Sequence, residues 1–325
     1  MRRAILLGVG ASFLVVLACN AIVGSDRYRV CQGVECDASF GPDGGPDVVL
    51  EGSAGDSGSD ATCGVPTPTI KSCDPNKEFQ APEPLPLNGA SATSRGGFLS
   101  PDGREFYFAA RGFDGGTNAE LLYFAYTDAG GFGAPQLAAL SDASPGDDYR
   151  PQLTPDGLRV FFDSTKEMGG IWTASRASAT APWGPVTKAS SGIDEVFPVG
   201  CHRLYGTVQI GNDYQSICVA DWSEGPPVVM TNPVLVPNLN SIAKDFAPIV
   251  TPDELHIYFS SDRNGKFQIF RSTRATSTSE WSDPALLPST INVPLTETVP
   301  FYITPDDCVL YYTSNTSMVR ATRGK

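Results

Sequence analysis

The sequence contains little positive charge and very few histidines. Its 325 residues include 23 Lys and Arg against 36 Asp and Glu, and the formal net charge is -13. Contacts with nucleic-acid phosphates need clustered Lys and Arg side chains, which the sequence lacks, so the composition argues against nucleic acid as a partner. Two histidines are too few for a metal site built from imidazole ligands. The sequence therefore predicts neither a metal site nor a cofactor.

Long hydrophobic runs are also absent, with one exception at the N-terminus. Arg2 and Arg3 precede an uncharged apolar run over residues 4–18, a pattern typical of a secretory signal peptide. The run would form about 22 Å of helix, which is too short for a comfortable membrane span. We therefore predict that residues 1–18 direct export and are removed.

The apolar run ends in Val16, Leu17, Ala18 and Cys19, which resembles the lipobox of bacterial lipoproteins. This resemblance implies that Cys19 is lipidated and that the protein attaches to the membrane through its lipid anchor only. Asn20 follows the cysteine, where an aspartate would resemble an inner-membrane retention signal, so we expect the outer membrane. An ordinary signal peptide with a coincidental cysteine is the alternative.

Apolar residues are scarce again before residue 76. Residues 37–62 consist mostly of Gly, Asp, Ser and Pro, and such a segment cannot bury enough surface to offset the entropy lost on ordering. Its spaced aspartates lack the alternating ligands and the distal glutamate of a calcium-binding loop. We interpret residues 19–75 as a disordered, acidic, cysteine-containing tether.

The chain has eight cysteines, and an exported protein is expected to form disulfides. Lipidation of Cys19 would leave seven. Cys31 with Cys36, and Cys63 with Cys73, are close in sequence and are predicted as local pairs flanking the tether.

Three further cysteines lie nearer the C-terminus. Cys201 and Cys218 fall within one repeat of the pattern described next, so they either pair or leave Cys218 buried as a small apolar residue. We expect Cys308 to be free.

The most informative pattern is an internal repeat of about 50 residues, the period expected of repeat architectures. Four turns read Ser or Thr, Pro, Asp, then Gly or an acid, and they are 54, 97 and 53 residues apart. They begin at Ser100, Thr154, Thr251 and Thr304. The double interval predicts a fifth, eroded copy at Phe197–Thr207.

The repeated aspartate of these turns is assigned a structural role. Proline sets φ at the first turn position, and aspartate accepts a hydrogen bond from the backbone two residues further on. The turn aspartates are Asp102, Asp156, Asp253 and Asp306.

Each copy contains short aromatic or β-branched segments bounded by Gly, Pro, Asp and Asn, which predicts strands. Four antiparallel strands repeated radially form a propeller blade. We predict an all-β, five-bladed β-propeller over residues 76–325. The blades are expected at about 94–141, 147–192, 194–240, 245–292 and 297–323. The last copy lacks its aromatic-x-x-Pro strand, so a strand from residues 79–88 should close the last blade, and a sixth blade has no room.

The repeats resemble the Pro-Asp-Gly propeller repeat of TolB and related WD-repeat-like periplasmic proteins. The resemblance rests on the turns and on third strands such as Ile171–Arg176 and Ile269–Arg274, and it covers residues 76–325. It implies a binding scaffold in the bacterial cell envelope, on the periplasmic or the surface face. The chain lacks the helical N-terminal domain of TolB, so membership of the Tol system itself does not follow.

Charged residues precede the innermost strand of each predicted blade. They are Arg95, Asp148, Arg150, Glu195, Asp245 and Glu297. Loops at one end of a propeller surround the central channel, and converging carboxylates there attract cations or polar ligands. We predict a ligand-binding rim in which Arg95 and Arg150 provide counter-charges. A solvated rim that caps backbone groups is the alternative interpretation.

These patterns together predict a monomeric, lipid-anchored propeller that binds an envelope protein, peptide or glycan without catalysing a reaction. No serine-hydrolase elbow is present. A glycoside hydrolase-like enzyme is the alternative, because five-bladed propellers include glycosidases that use inward carboxylates as acid and base. In that case Asp148, Glu195, Asp245 and Glu297 are the candidate catalytic residues.

Overall fold

Short strands dominate the structure. The computed structural model describes residues 73–85, 96–101, 103–111, 118–127, 131–140, 146–189, 192–200, 202–211, 214–225 and 227–324. Within these ranges the chain forms 21 strands and one 3-10 turn, Lys166–Met168. No helix in this part of the chain is long and apolar enough to cross a membrane.

The strands are two to ten residues long and are numbered in chain order. They are β1 (Glu83–Pro84), β2 (Gly97–Leu99), β3 (Glu105–Arg111), β4 (Ala119–Thr127), β5 (Gly131–Phe132), β6 (Gln136–Leu137), β7 (Asp148–Leu153), β8 (Arg159–Ser164), β9 (Gly170–Ser175), β10 (Thr187–Lys188), β11 (Asp194–Pro198), β12 (Arg203–Ile210), β13 (Tyr214–Ser223), β14 (Val229–Leu235), β15 (Asp245–Val250), β16 (His256–Ser261), β17 (Gln268–Thr273), β18 (Ala285–Leu286), β19 (Thr298–Ile303), β20 (Val309–Ser314) and β21 (Ser317–Thr322).

Some sequence predictions concern residues outside the described ranges and stay predictions. These are the signal peptide, the tether up to residue 72, and seven single residues. The seven are Cys19, Cys31, Cys36, Cys63, Arg95, Asp102 and Cys201.

The strands form five antiparallel sheets, which confirms the predicted five-bladed propeller. Blade 1 contains β2, β3 and β4, with both β5 and β6 paired to β4, and blades 2, 3 and 4 contain β7–β10, β11–β14 and β15–β18. The first strands of the blades contact one another around the whole ring: β2 with β7, β7 with β11, β11 with β15, β15 with β19, and β19 with β2. These five inner strands therefore enclose the central channel.

Blade 5 is completed from the other end of the chain, as predicted. Its sheet has the order β1-β21-β20-β19, so the N-terminal strand is its outermost member. In this pairing Glu83 faces Arg320, and Phe79 forms a further bridge with Arg323. An edge strand borrowed from the N-terminus pairs the exposed edge of the last blade and closes the ring.

In each of blades 2, 4 and 5, an arginine directly after the third strand connects the Pro-Asp turn of that blade with its outer segment. Its Nε donates to the carbonyl of the last residue of the Pro-Asp turn, at 2.6 to 2.8 Å. Its guanidinium carbon lies 4.0 to 4.3 Å from the centre of an aromatic ring on the outer segment, a cation–π geometry. We call this unit the arginine latch. The three latches are Arg176–Gly157–Trp183, Arg274–Glu254–Trp281 and Arg323–Asp307–Phe79.

The latch also connects neighbouring blades. Each latch aromatic meets a tyrosine from the second strand of the preceding blade edge-on, with ring centres 6.1 to 6.5 Å apart. The pairs are Tyr107–Trp183, Tyr205–Trp281 and Tyr258–Phe79. Blade 3, whose turn motif is eroded, has Trp222 near the end of its third strand instead. Arg159 of blade 2 lies over that ring at 5.1 Å.

The turn aspartates of blades 2, 4 and 5 hold the turns in shape. In each turn, one carboxylate oxygen accepts the threonine hydroxyl two residues earlier at 2.6 Å. The same oxygen accepts the backbone N–H two residues later at 2.9 to 3.2 Å. The aspartates are Asp156, Asp253 and Asp306. Their side chains are thereby engaged in local structure.

The cysteines pair differently from the sequence prediction. Cys73 forms a disulfide with Cys308, 235 residues away, so the predicted local pair with Cys63 and the prediction of a free Cys308 are wrong. Proximity in sequence is misleading here, because ring closure brings the N-terminal segment against the turn of blade 5. Cys218 is a free, buried thiol, and burial raises its pKa to about 12.

The disulfide should contribute to the stability of the closed ring. Replacement of either partner, Cys73→Ser or Cys308→Ser, is expected to lower the free energy of unfolding by about 2–5 kcal/mol, because the bond constrains a long loop in the unfolded chain. Denaturant unfolding measures the loss. The double variant serves as the control. Each single change removes the same bond, so the losses in unfolding free energy of the two single variants should not add in the double variant. Additive losses would contradict the assignment.

Candidate functional site

The two ends of the central channel differ. At the end of the channel that lies towards the Pro-Asp turns, one residue from each inner strand fills the channel. In each blade this residue pairs with an aromatic residue of the second strand. These residues are Phe98, Gln152, Phe197, Ile249 and Tyr302. The ring of Phe98 lies 4.6 Å from that of Tyr302 and 6.2 Å from that of Phe197, centre to centre. Only about 40 Å³ of space is left at this end.

The opposite end of the channel opens into a cavity of about 520 Å³, which we call the mouth cavity. Blades 2 and 3 provide a polar wall that includes Tyr149, Arg150, Asp163, Asp194 and Glu195. Blades 4 and 5 provide a largely apolar wall that includes Phe246, Phe267, Val299 and Phe301, with Glu297 beside it. The mouth cavity is therefore polar on one side and apolar on the other.

A β-bulge that recurs in the inner strands positions the charged side chains of Arg150 and Glu195. Blades 2 to 5 each carry a register shift in the inner strand. Arg150, Glu195 and Ala247 occupy the same position of this bulge and have φ of 51°, 52° and 56°, a region that non-glycine residues adopt uncommonly. Gly96 has the corresponding position in blade 1, and a Cβ there would lie 2.9 Å from Cγ of Arg150. Arg150 thus packs where blade 1 has no side chain.

Arg150 lies between two carboxylates of the polar wall. Its Nη1 is 3.6 Å from Oε1 of Glu195, and its Nε is 4.0 Å from Oδ2 of Asp163. The backbone N–H of Glu195 donates to Oδ1 of Asp163 at 3.1 Å. The other oxygen of Glu195 accepts from the Thr207 hydroxyl and the Ala247 N–H, both at 3.0 Å. This network fixes the carboxylate of Glu195 between blades 3 and 4.

The surroundings shift the proton affinity of two carboxyl groups in the polar wall. Burial raises the pKa of Asp163 to about 7, and the Glu195 charge adds to the shift while Arg150 opposes it. Burial and the same Glu195 charge raise the pKa of Asp194. Asp163 is therefore close to half-protonated at neutral pH and can donate as well as accept a hydrogen bond.

The structure brings together only part of the predicted rim. Arg150, Glu195 and Glu297 line the mouth cavity. Asp148 and Asp245 do not, which corrects their placement at the channel mouth, because each is buried in an ion pair of its own blade. Lys166 Nζ lies 3.1 Å from Asp148, and Arg263 Nη2 lies 2.6 Å from Asp245. Their basic partners come from the loops after the second strands, which the predicted rim did not include.

The sequence analysis missed most of the cavity residues, including Asp163, Phe246 and Phe267. Asp163 lies in β8, Phe246 lies in β15, and Phe267 directly precedes β17. Asp163 did leave a signal, because a carboxylate directly follows the aromatic pair Phe161 and Phe162 within a predicted strand. Among the described residues, no group of three or more His, Cys, Asp or Glu side chains is arranged to hold a metal ion.

Comparisons with known proteins detect a similarity of fold. No family model and no curated protein sequence matches the chain. A solved structure assigned as TolB from Agrobacterium tumefaciens is 18% identical, with 68% of this chain and 69% of that chain covered and a TM-score of 0.41. Prolyl oligopeptidase B from Galerina marginata is 10% identical, with coverages of 70% and 31% and a TM-score of 0.43.

A mannose phosphorylase from Leishmania mexicana is 11% identical, covers 77% of this chain and 89% of its own, and has a TM-score of 0.48. This chain spans less than a third of the oligopeptidase. With identities this low and TM-scores below 0.5, these similarities do not bear on function. The propeller is identified from its own sheet topology.

The raised pKa of Asp163 predicts a pH-dependent stability. Between about pH 4 and 7 the folded protein holds a proton on Asp163 that the unfolded chain has lost, since the pKa rises from 3.8 to about 7 on folding. The contribution of this group therefore decreases as pH rises through that window. Asp163→Asn should remove this pH dependence, because the amide does not titrate. The Tm of the variant minus that of the wild type should therefore grow from pH 4 to pH 7.

Thermal unfolding at several pH values measures this difference. Asp283→Asn is a matched control, because Asp283 is exposed in the loop before β18, outside the mouth cavity. A Tm difference for Asp163→Asn that stays constant with pH would contradict the assignment.

Proposed function

We propose that the protein is a lipid-anchored binding scaffold of the bacterial cell envelope, whose propeller holds a protein, peptide or glycan at the mouth cavity without catalysis. The mouth cavity is the observation that carries this proposal. It is concave and combines apolar walls with a few fixed polar groups, which is the usual character of a ligand site. The channel behind it is filled, so a ligand binds from one face.

Two observations support export and anchoring. The Cys73–Cys308 disulfide is of a kind that persists in oxidising compartments such as the periplasm and the cell surface. The N-terminal sequence up to Cys19 resembles a lipoprotein signal. The tether between Cys19 and the propeller would allow the propeller to reach away from the membrane.

The polar wall favours binding over catalysis. Asp148 and Asp245, two of the four carboxylates considered as catalytic groups, are buried in ion pairs away from the mouth cavity. Glu195 is held by the Thr207 hydroxyl, the Ala247 N–H and Arg150. A carboxylate held by these contacts is poorly placed to act as a nucleophile or base.

One observation favours the glycoside hydrolase-like alternative. Asp163 has a pKa raised to about 7 and neighbours Glu195, and two carboxyl groups in different environments are what acid and base catalysis of glycoside hydrolysis requires. In that case Asp163 would be the general acid, and Glu195 or Glu297 the second carboxylate.

The anchor is tested by metabolic labelling with a fatty acid. Cys19→Ala should abolish acylation and release the protein from the membrane fraction, because the lipid is its only attachment. Cys31→Ser is the matched control and should keep the label. Unchanged labelling of Cys19→Ala would exclude the proposed anchor.

The site is tested by filling the mouth cavity. Thr313 lines the cavity and Thr278 is exposed in the loop between β17 and β18, at the other end of blade 4. In a glycan array and an envelope pull-down, Thr313→Trp should weaken binding roughly tenfold or more, a loss of at least about 1.4 kcal/mol. Thr278→Trp should bind like the wild type.

Equal binding by both tryptophan variants would contradict a site in the mouth cavity. The same preparations are assayed for hydrolysis of envelope polysaccharides. Turnover by the wild type that is lost in Asp163→Asn would establish the enzyme alternative instead.

A further inference from the structure

The face around the mouth cavity is rich in exposed apolar side chains. Of the large apolar side chains exposed in the described part of the chain, five lie in or beside loops at this end of the propeller, and the others lie on outer strands. The five are Met168, Tyr214, Ile242, Val293 and Leu295. Ile242 and Leu295 are 82% and 85% exposed and precede the inner strands β15 and β19. None of the five lies at the end of the Pro-Asp turns.

Strand pairing shows that these loops belong to the same end as the mouth cavity. The inner strands begin there, and their first residues pair with the last residues of the second strands, as Asp148 with Ser164 and Thr298 with Ser314. The loop that follows β8 contains Met168, and the loop that follows β20 contains the cavity residue Asn315. The apolar side chains therefore lie at the same end of the propeller as the mouth of the cavity.

Acidic groups outnumber basic ones among the described residues that line the mouth cavity. Four are acidic, Asp163, Asp194, Glu195 and Glu297, and one, Arg150, is basic. Arg150 is already paired with Glu195 and Asp163. Within the described part of the chain, neither Glu297 nor Asp194 forms an ion pair, so a positively charged group that enters the cavity would meet them without displacing one.

The opposite wall suits an apolar stem. Phe246 and Phe267 meet edge to face with ring centres 5.0 Å apart, and Val299 and Phe301 continue the apolar wall. Lys and Arg side chains combine an aliphatic stem with a cationic head, so one such side chain can contact both walls at once. An aromatic wall adds a cation–π contribution.

We infer that the occupant of the mouth cavity is a Lys or Arg side chain from a protein partner, whose neighbouring apolar residues pack on the surrounding loops. This inference rests on the proposed function and names its ligand. Exposed aliphatic side chains around a polar pocket are typical of a protein interface, which has an apolar area and a few anchoring residues. A glycan, which is rich in hydroxyl groups, would gain little from Ile242 or Leu295.

The inference is tested with the full exported chain and synthetic peptides. The probe is the acetylated, amidated peptide Ala-Leu-Lys-Leu-Ala, compared with the same peptide carrying Gln in place of Lys, by calorimetry and by NMR. The Lys peptide should bind about tenfold more tightly, the equivalent of one charge-assisted contact. Higher salt should reduce this preference, since the charges at the mouth are partly exposed.

Two substitutions locate the charge effect. Glu297 is exposed at the mouth, and Glu280 is exposed in the loop between β17 and β18, at the other end of blade 4. Glu297→Gln should weaken the Lys peptide about 2- to 5-fold, as expected for a partly exposed ion pair. Glu280→Gln removes the same charge elsewhere and should leave binding unchanged. Leu295→Ser should weaken both peptides alike.

Other outcomes overturn the inference in distinguishable ways. Equal affinity for the Lys and Gln peptides rejects a cationic anchor, and so do equal effects of the two glutamate substitutions. Neither outcome contradicts the proposed site in the mouth cavity, which Thr313→Trp tests separately. Oligosaccharide binding that Thr313→Trp abolishes, without peptide binding, rejects the protein partner and supports the proposed function with a glycan ligand. No response of cavity signals to either class of ligand rejects both proposals.

Discussion

A propeller keeps its channel only if the ring of blades closes, and every feature of the mouth cavity depends on that closure. Its walls come from all five blades, and blade 5, which provides Val299 and Phe301, is completed by a strand from the N-terminus. Three interactions hold that strand region: the pairing of β1 with β21, the latch of Arg323 on Phe79, and the Cys73–Cys308 disulfide. Closure also removes two sheet edges that would otherwise be open to aggregation.

The two ends of the propeller have different roles. At the turn end, the same residue types recur because each solves the same local problem: Asp satisfies the backbone of the turn, and the latch arginine joins turn, third strand and outer aromatic. At the mouth, equivalent positions carry different residues, such as Gly96, Arg150, Glu195 and Ala247. A repeated scaffold at one end thus allows unlike side chains to be held rigidly at the other, which limits the entropy lost when a ligand binds.

The site was only partly predictable because a propeller assembles it from second strands and loops as well as inner strands. Asp148 and Glu195 looked alike in sequence, since each precedes or begins an inner strand. Glu195 occupies the bulge position of blade 3 and lines the cavity, whereas Asp148 lies two residues before the bulge position of blade 2 and forms an ion pair with Lys166 of the following loop. A shift of one residue in register sends a side chain to the opposite face of a sheet, and the sequence does not reveal where each bulge falls.

The sequence by itself determined the all-β class, the number of blades and the closing strand, because turn chemistry and strand alternation are local and repeat five times. Only the tertiary structure decided that Cys73 pairs with Cys308, that Asp163 joins the cavity with a raised pKa, and that Asp148 and Asp245 are withdrawn from it. Each of these depends on a partner distant in sequence or on burial, and both arise only when the blades pack around the channel.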